Sequence, residues 1–249
     1  MKIFRSLVAL LPILYSVPAT AQESLAPIIL KASKTAPKSK SKRITINDFA
    51  MWMPVYLNTH LFNKKVRFYL EAQPRVERTA DSLFTFAQLR LRSSIGYQFN
   101  RSFAAYTGYA WCPDFHPYRN ENRPYQDLLF GHVLLKRLQM VYRYRSEERF
   151  IKHVHGMSYR GRFKIRGAVP IREGPFYVIG SEELFVNFNH PQGGPQKGLD
   201  QWRSYTGLGR QFGRHLRAEA GYMMRYAFHP GATPRKIDHA FITRLLINY

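Results

Sequence analysis

The chain has one cysteine, few acidic residues and no long apolar run beyond its N-terminus, and each shortage removes a class of protein. A lone thiol cannot form an intramolecular disulfide framework, so Cys112 reads as a small packing residue. After the first residues, no apolar stretch approaches the ~20 residues a helix needs to cross a bilayer. The 16 Asp and Glu stand against 38 Lys and Arg, a formal net charge of +22. Such a balance first points to nucleic acid or an anionic membrane surface. No zinc-finger spacing, RNP-type string or helix-turn-helix pattern accompanies it, and the arginines are spread over many segments, so nucleic acid is not an expected partner. Catalytic motifs are missing too: there is no G-x-S-x-G, P-loop or H-E-x-x-H. Ser93, Ser94, Ser158 and Ser204 have no recognisable nucleophile context. His153-Val154-His155 puts two imidazoles on one side of a strand, but no further ligand lies at a diagnostic spacing. No catalytic residue, metal or cofactor is predicted.

What is present is alternation. From Val66 to Val76 every even position is apolar, while Arg67, Glu71, Gln73 and Arg75 occupy odd ones. A period of two belongs to a strand, because successive side chains point to opposite faces. The design recurs where Arg90 and Arg92 alternate with Leu89 and Leu91, where Arg143 and Arg145 alternate with Tyr142 and Tyr144, and through Arg160, Arg162, Lys164 and Arg166. Arg217, Glu219 and Arg225 repeat it once more. In a soluble sandwich the apolar side would be the interior. These runs, however, extend for about ten residues, the span of a tilted strand through a bilayer, against a usual soluble strand of about five or six.

The two ends of the chain agree with export to a membrane. Lys2 and Arg5 precede the apolar run Ser6 to Val17, and Ala19-Thr20-Ala21 has a small-x-small form, which predicts a signal peptide over 1–21. Residues 22–46 are rich in Lys, Ser and Ala and read as a basic flexible arm. At the far end, Phe241, Thr243, Leu245, Ile247 and Tyr249 share one phase. A phased last strand closing on an aromatic is similar to the recognition signal of outer-membrane barrels, and makes the barrel-assembly machinery an expected partner through Tyr249.

Residues 47–249 are predicted to form one all-β domain, an antiparallel up-and-down transmembrane β-barrel of 10–12 strands. Eleven candidate strands are legible, near 48–59, 64–78, 83–98, 102–112, 125–135, 138–149, 156–169, 175–189, 201–212, 215–227 and 237–249. An even-numbered barrel would need ten or twelve. Tight links at Asn100-Arg101, Lys136-Arg137 and Gly213-Arg214 look periplasmic; Pro113–Pro124, His190–Leu199 and Phe228–Lys236 look like outward loops. Trp52, Trp111 and Trp202 fit interfacial girdles. Glu182 beside Glu183 breaks the alternation, which predicts a bulge or a position near the interface.

The order of Trp52, Glu71-Ala72-Gln73-Pro74-Arg75, Gln88-Leu89-Arg90, Gly108-Tyr109-Ala110, Arg143-Tyr144-Arg145-Ser146-Glu147-Glu148-Arg149-Phe150, Glu183-Leu184-Phe185, Gln201-Trp202-Arg203 and Gly221-Tyr222-Met223 resembles domain-of-unknown-function family 2490. The resemblance covers roughly residues 48 to 249. Its most specific strings are Arg-x-Arg-x-Glu-x-Arg-Phe and Glu-x-Gln-x-Arg. It implies a bacterial outer-membrane barrel without an assigned activity, and it carries no catalytic residue over.

On the barrel reading, the polar phase lines the lumen: Arg67, Glu71, Arg75, Arg90, Arg92, Arg143, Arg145, Glu147, Arg160, Arg162, Lys164, Arg166, Glu183, Arg203, Arg217, Glu219 and Arg225. They either satisfy one another as a ladder of ion pairs, or leave a net positive lumen that attracts anionic groups. Both can hold. Arg160, Arg162, Lys164 and Arg166 have no carboxylate on their own strand face, so pairing must come from neighbours such as Glu147 or Glu183. The expected function is structural or small-solute and anion-interacting in the bacterial outer membrane, with its lipids and small anions as partners. A lipid-modifying outer-membrane enzyme is the alternative.

Overall fold

The computed structural model describes residues 45–78, 84–228 and 235–249; the predicted signal peptide and nearly all of the basic arm lie outside them. The first strand starts at Thr45, slightly ahead of the expected barrel boundary. In chain order the strands are β1 (Thr45–Trp52), β2 (Val55–His60), β3 (Val66–Glu77), β4 (Thr85–Gln98), β5 (Phe103–Trp111), β6 (Asp114–Phe115), β7 (Tyr118–Arg119), β8 (Glu121–Leu134), β9 (Leu138–Ile151), β10 (Ser158–Pro170), β11 (Phe176–Asn187), β12 (Gly198–Phe212), β13 (Leu216–Ala227) and β14 (Arg235–Asn248). All eleven candidate strands of the sequence are present.

Neighbours in sequence pair antiparallel from β2 round to β14, with the β6–β7 hairpin set in the link between β5 and β8. The sheet then closes on itself: β1 and β2 both pair with β14, and they do so in parallel. β1 and β2 form one stave interrupted at Met53-Pro54, where proline has no N–H for the ladder. The register to β14 is unchanged across the break, from Trp52 opposite Ile242 to Val55 opposite Leu245. Backbone groups at the break stay bonded, Met53 N–H to the Pro74 carbonyl at 3.1 Å and Leu245 N–H to the Pro54 carbonyl at 3.0 Å.

Among the described residues the wall therefore has eleven staves. Eleven lies within the expected 10–12; the argument for an even number does not apply, because it assumes an antiparallel seam and a parallel seam closes an odd number. The same parity puts the start of β1 and the end of β14 at opposite rims. One rim carries the short links 61–65, 99–102, 135–137, 171–175 and 213–215 together with Tyr249. The other carries 112–120, 152–157 and 188–197. In the three-residue link 135–137, Leu135 and Lys136 both have positive φ, 49° and 61°, and the Arg137 N–H bonds back to the Leu134 carbonyl at 3.2 Å.

Polarity is inverted relative to a water-soluble fold. Leu128, Phe163, Ile165 and Leu208 point outward and are exposed, Phe163 and Ile165 at 47%, while Arg75, Arg92, Arg145 and Glu147 are buried inside. Two of the expected features require correction. Trp111 and Trp202 are outward, but Trp52 is 3% exposed and faces the interior, because it shares the phase of Ala50. The irregularity in β11 falls between Phe185 and Val186, so alternation runs straight through Glu182 and Glu183. Glu182 is turned outward, and its carboxylate accepts from Trp202 Nε1 at 2.6 Å and Ser204 Oγ at 2.7 Å. Cys112 is buried against Ala110 and Tyr125, in the packing role the sequence assigns it.

Candidate functional site

Every residue of the polar phase named from the sequence faces the interior, and the structure divides them between two halves of the lumen. The half nearer the long loops is filled. Glu147 is its hub: it accepts from Arg160 at 2.6 Å and from Arg162 at 2.7 Å, with Arg145 at 4.0 Å. Asp127 holds Arg145 in a two-bond fork at 2.7 and 2.6 Å. Glu121 clamps Arg123 and Arg149, Asp114 on the inserted hairpin takes Arg90 at 2.6 Å, and Asp238 pairs with Arg225. Forked pairs of this kind satisfy the directed donors of each guanidinium, which a buried charge requires.

Beneath this network lies a layer of arginine on aromatic rings. Arg75 sits 3.6 Å above the Trp52 ring and is bonded to Gln73 and Gln88. Arg203 lies between Trp52 and Phe185, 5.2 and 4.4 Å from their centroids, and Arg162 packs on the same phenylalanine at 4.5 Å. Cations over ring faces keep favourable electrostatics where water is excluded. The layer lies at the inner end of the cavity in the other half of the lumen, which Trp52, Arg162 and Arg203 line and Arg75 and Phe185 do not.

The half nearer the short turns is a cavity of about 970 Å3. It extends from Trp52, Gln73, Arg162 and Arg203 to Glu173, Gly213 and Asn248 at the short-turn rim, and it does not take in Arg90, Arg123, Arg149 or Arg160. Tyrosines shape its wall. Tyr106 and Tyr177 lie across their register partners Gly96 and Gly209, where a Cβ would come within 2.1 and 2.3 Å of the rings. Glu219 accepts from Arg166 at 2.5 Å, Arg244 at 3.2 Å and the Tyr177 hydroxyl at 3.1 Å; Glu71 holds Arg92 and accepts from Tyr69 at 2.8 Å. Arg67 lies toward the short-turn end of β3, opposite Gly96 and His60, and Arg217 reaches the cavity near its mouth.

Several members of this site were not visible in the sequence. Glu121, Arg123 and Asp127 point inward from β8, but on the other phase Asn122 and Gln126 are polar and only Pro124 is apolar, so that stretch shows little contrast between faces. Charges at 121, 123 and 127, all in one phase, were the available signal. Phe185 and Trp52 were hidden because aromatic residues suit either face of a barrel. His153 and His155 lie in the 152–157 loop, and among the described residues no group of three metal-ligating side chains forms.

A closed barrel with an apolar exterior and a charged, partly hollow interior is the class these features define. A family model described as a protein of unknown function, DUF2490, matches residues 49–235, and the chain belongs to that family. No curated protein and no solved structure matches the chain.

Proposed function

We propose that this chain is a bacterial outer-membrane barrel whose lumen is a one-ended, net positive chamber for anionic solutes, entered from the short-turn rim. The observation that carries the reading is the inversion of polarity around a sheet without an edge. In hydrocarbon, unpaired backbone groups are too costly to expose, so only a closed barrel serves, and its apolar phase belongs outside. Strands of 12 to 15 residues in β3, β4 and β8 through β14 are long enough for the span. Short turns and the last strand end mark the periplasmic rim in such barrels. Tyr249 lies there, stacked on His215 with centroids 4.8 Å apart, where the assembly machinery would meet it.

Membrane fractionation should find the protein in the outer membrane, in a form that resists unfolding by detergent until heated. Recovery of the intact protein from the soluble periplasm overturns the reading. In planar bilayers the wild-type barrel should pass little steady current, since on this reading the layer of Trp52, Arg75, Arg203 and Phe185 closes the lumen, and the combined W52A and F185A substitutions should raise it. A large wild-type conductance would mean that the layer leaves the lumen open.

Strand parity adds a topological expectation. With Tyr249 periplasmic, the chain enters β1 from the cell exterior, so an epitope inserted just ahead of Thr45 should be reached by antibody on intact cells. Labelling only after permeabilisation would reverse this assignment. On the outward face, Ser204 donates to Glu182, while His239, two strands away, bonds the Tyr222 hydroxyl at 2.5 Å. A lipid-modifying enzyme would need a serine activated by histidine, and this arrangement engages each with another partner.

A further inference from the structure

We propose that the inner end of the chamber is a binding site for a phosphate-type dianion, held between Lys164 and Arg203. The proposal rests on the chamber reading above and specifies its ligand class. Of the four cations on the inward face of β10, three have carboxylate partners: Arg160 on Glu147, Arg162 on Glu147 and Glu183, Arg166 on Glu219. Lys164 has no carboxylate within 4.0 Å among the described residues. Its register neighbours are Arg143 and Glu183, and Oε1 of Glu183 already accepts from Arg143 at 2.7 Å and from Arg162 at 2.7 and 3.1 Å.

Arg203 is in the same position on the other side of Glu183. It is the register partner of that glutamate on β12, its guanidinium donates to the neutral Gln201 at 3.1 and 3.0 Å, and it packs on the rings of Trp52 and Phe185. Arg143 adds a further unused donor, since its Nε is buried with no partner. One row across β9, β10, β11 and β12 thus reads Arg143, Lys164, Glu183, Arg203: three cations to one carboxylate, and that carboxylate also serves Arg162. All four line the cavity.

A cation withdrawn from bulk water without a counter-charge is unstable, so the row favours any state in which an anion completes it. The geometry points to a multi-oxygen dianion. Lys164 and Arg203 flank Glu183 two strand spacings apart, roughly 10 Å between backbones, and both line the same cavity, so a tetrahedral group has oxygens to offer to each. A single-point anion would engage one cation and leave the other. The tyrosine-lined volume toward the rim leaves room for an organic remainder on the phosphate.

The test uses the full-length barrel in nonionic detergent at low salt, titrated calorimetrically with inorganic phosphate, glucose 6-phosphate and dispersed short-chain phosphatidic acid. Saturable binding is expected, and the arm that binds tightest tells a free solute from a lipid headgroup. Lys164→Gln and Arg203→Gln should each weaken binding by about tenfold or more, the loss of one charge-assisted contact, while the outward Arg210→Gln should leave it unchanged. Melting in anion-free buffer gives a second readout: Lys164→Gln should melt higher than wild type and lose the rise that phosphate produces. No saturable binding by wild type, binding by both variants as tight as that of wild type, or a Lys164→Gln barrel that melts lower or fails to fold would overturn the site. Anion binding by a barrel that fractionates away from the outer membrane would sink the cellular reading and leave the site standing.

Discussion

Leu128→Arg should leave the protein almost entirely unassembled. Leu128 lies mid-strand in β8, exposed on the outward face between Ala105 and Tyr144, so the new guanidinium would project into hydrocarbon beside a methyl group and a tyrosine ring. An arginine near the midplane costs about 2–4 kcal/mol, a large share of a marginal folding free energy of about 5–15 kcal/mol. Ser158→Ala is the matched control: Ser158 is buried in the lumen, and its hydroxyl has no partner, so its removal should be neutral or slightly stabilising. Ile165→Arg is expected to fall between the two. Its register neighbour on β11 is Glu182, the outward carboxylate, which would give the intruding cation a counter-ion. The measurement is the fraction of heat-modifiable barrel in outer-membrane preparations. Equal yields for Leu128→Arg and Ser158→Ala would remove the assignment of faces.

Glu147→Gln should be the most damaging change inside the lumen. Glu147 is 1% exposed and is the shared acceptor for Arg160 and Arg162, with Arg145 nearby. An amide keeps the shape and loses the charge, which leaves guanidiniums buried beside one another. Breaking a buried pair by removing one partner costs about 3–5 kcal/mol, and here one carboxylate serves at least two cations. Urea unfolding in detergent micelles should show a clear drop in midpoint. Gln88→Ala should cost less, because Gln88 only accepts from Arg75 and Arg90, and Arg90 keeps Asp114. If Glu147→Gln unfolds at the wild-type midpoint, the network is not what fills the long-loop half.

The staves were legible because alternation needs no knowledge of partners. Each strand declares its own two faces, and from β3 to β14 the boundaries read from the sequence follow the wall closely. The tight links at Asn100-Arg101, Lys136-Arg137 and Gly213-Arg214 share one rim and the longer links within Pro113–Pro124 and His190–Leu199 share the other, since proline and glycine mark the longer loops locally. Strand count was not legible to the last strand, as it depends on how β1 meets β14 and no local residue specifies the direction of that seam. Trp52 was assigned outward for a related reason: an aromatic side chain tolerates both faces, and only the register of β1 against β14 and β3 turns it inside.

The candidate site divides in the same way. That Lys164 belongs to the lumen follows from a two-residue period within β10 alone. That it lacks a carboxylate while Arg162, two residues earlier, has two does not; Arg162 reaches Glu147 on β9 and Glu183 on β11, and these lie in reach only once the sheet is closed and tilted. Outside β1 and the first half of β8, the sequence by itself determined which side chains face in and which face out, because pleating is a property of the single strand. The tertiary structure alone decided which charges cancel, which arginines stack on Trp52 and Phe185, and where cations are left over, because those outcomes depend on distances between strands far apart in the chain.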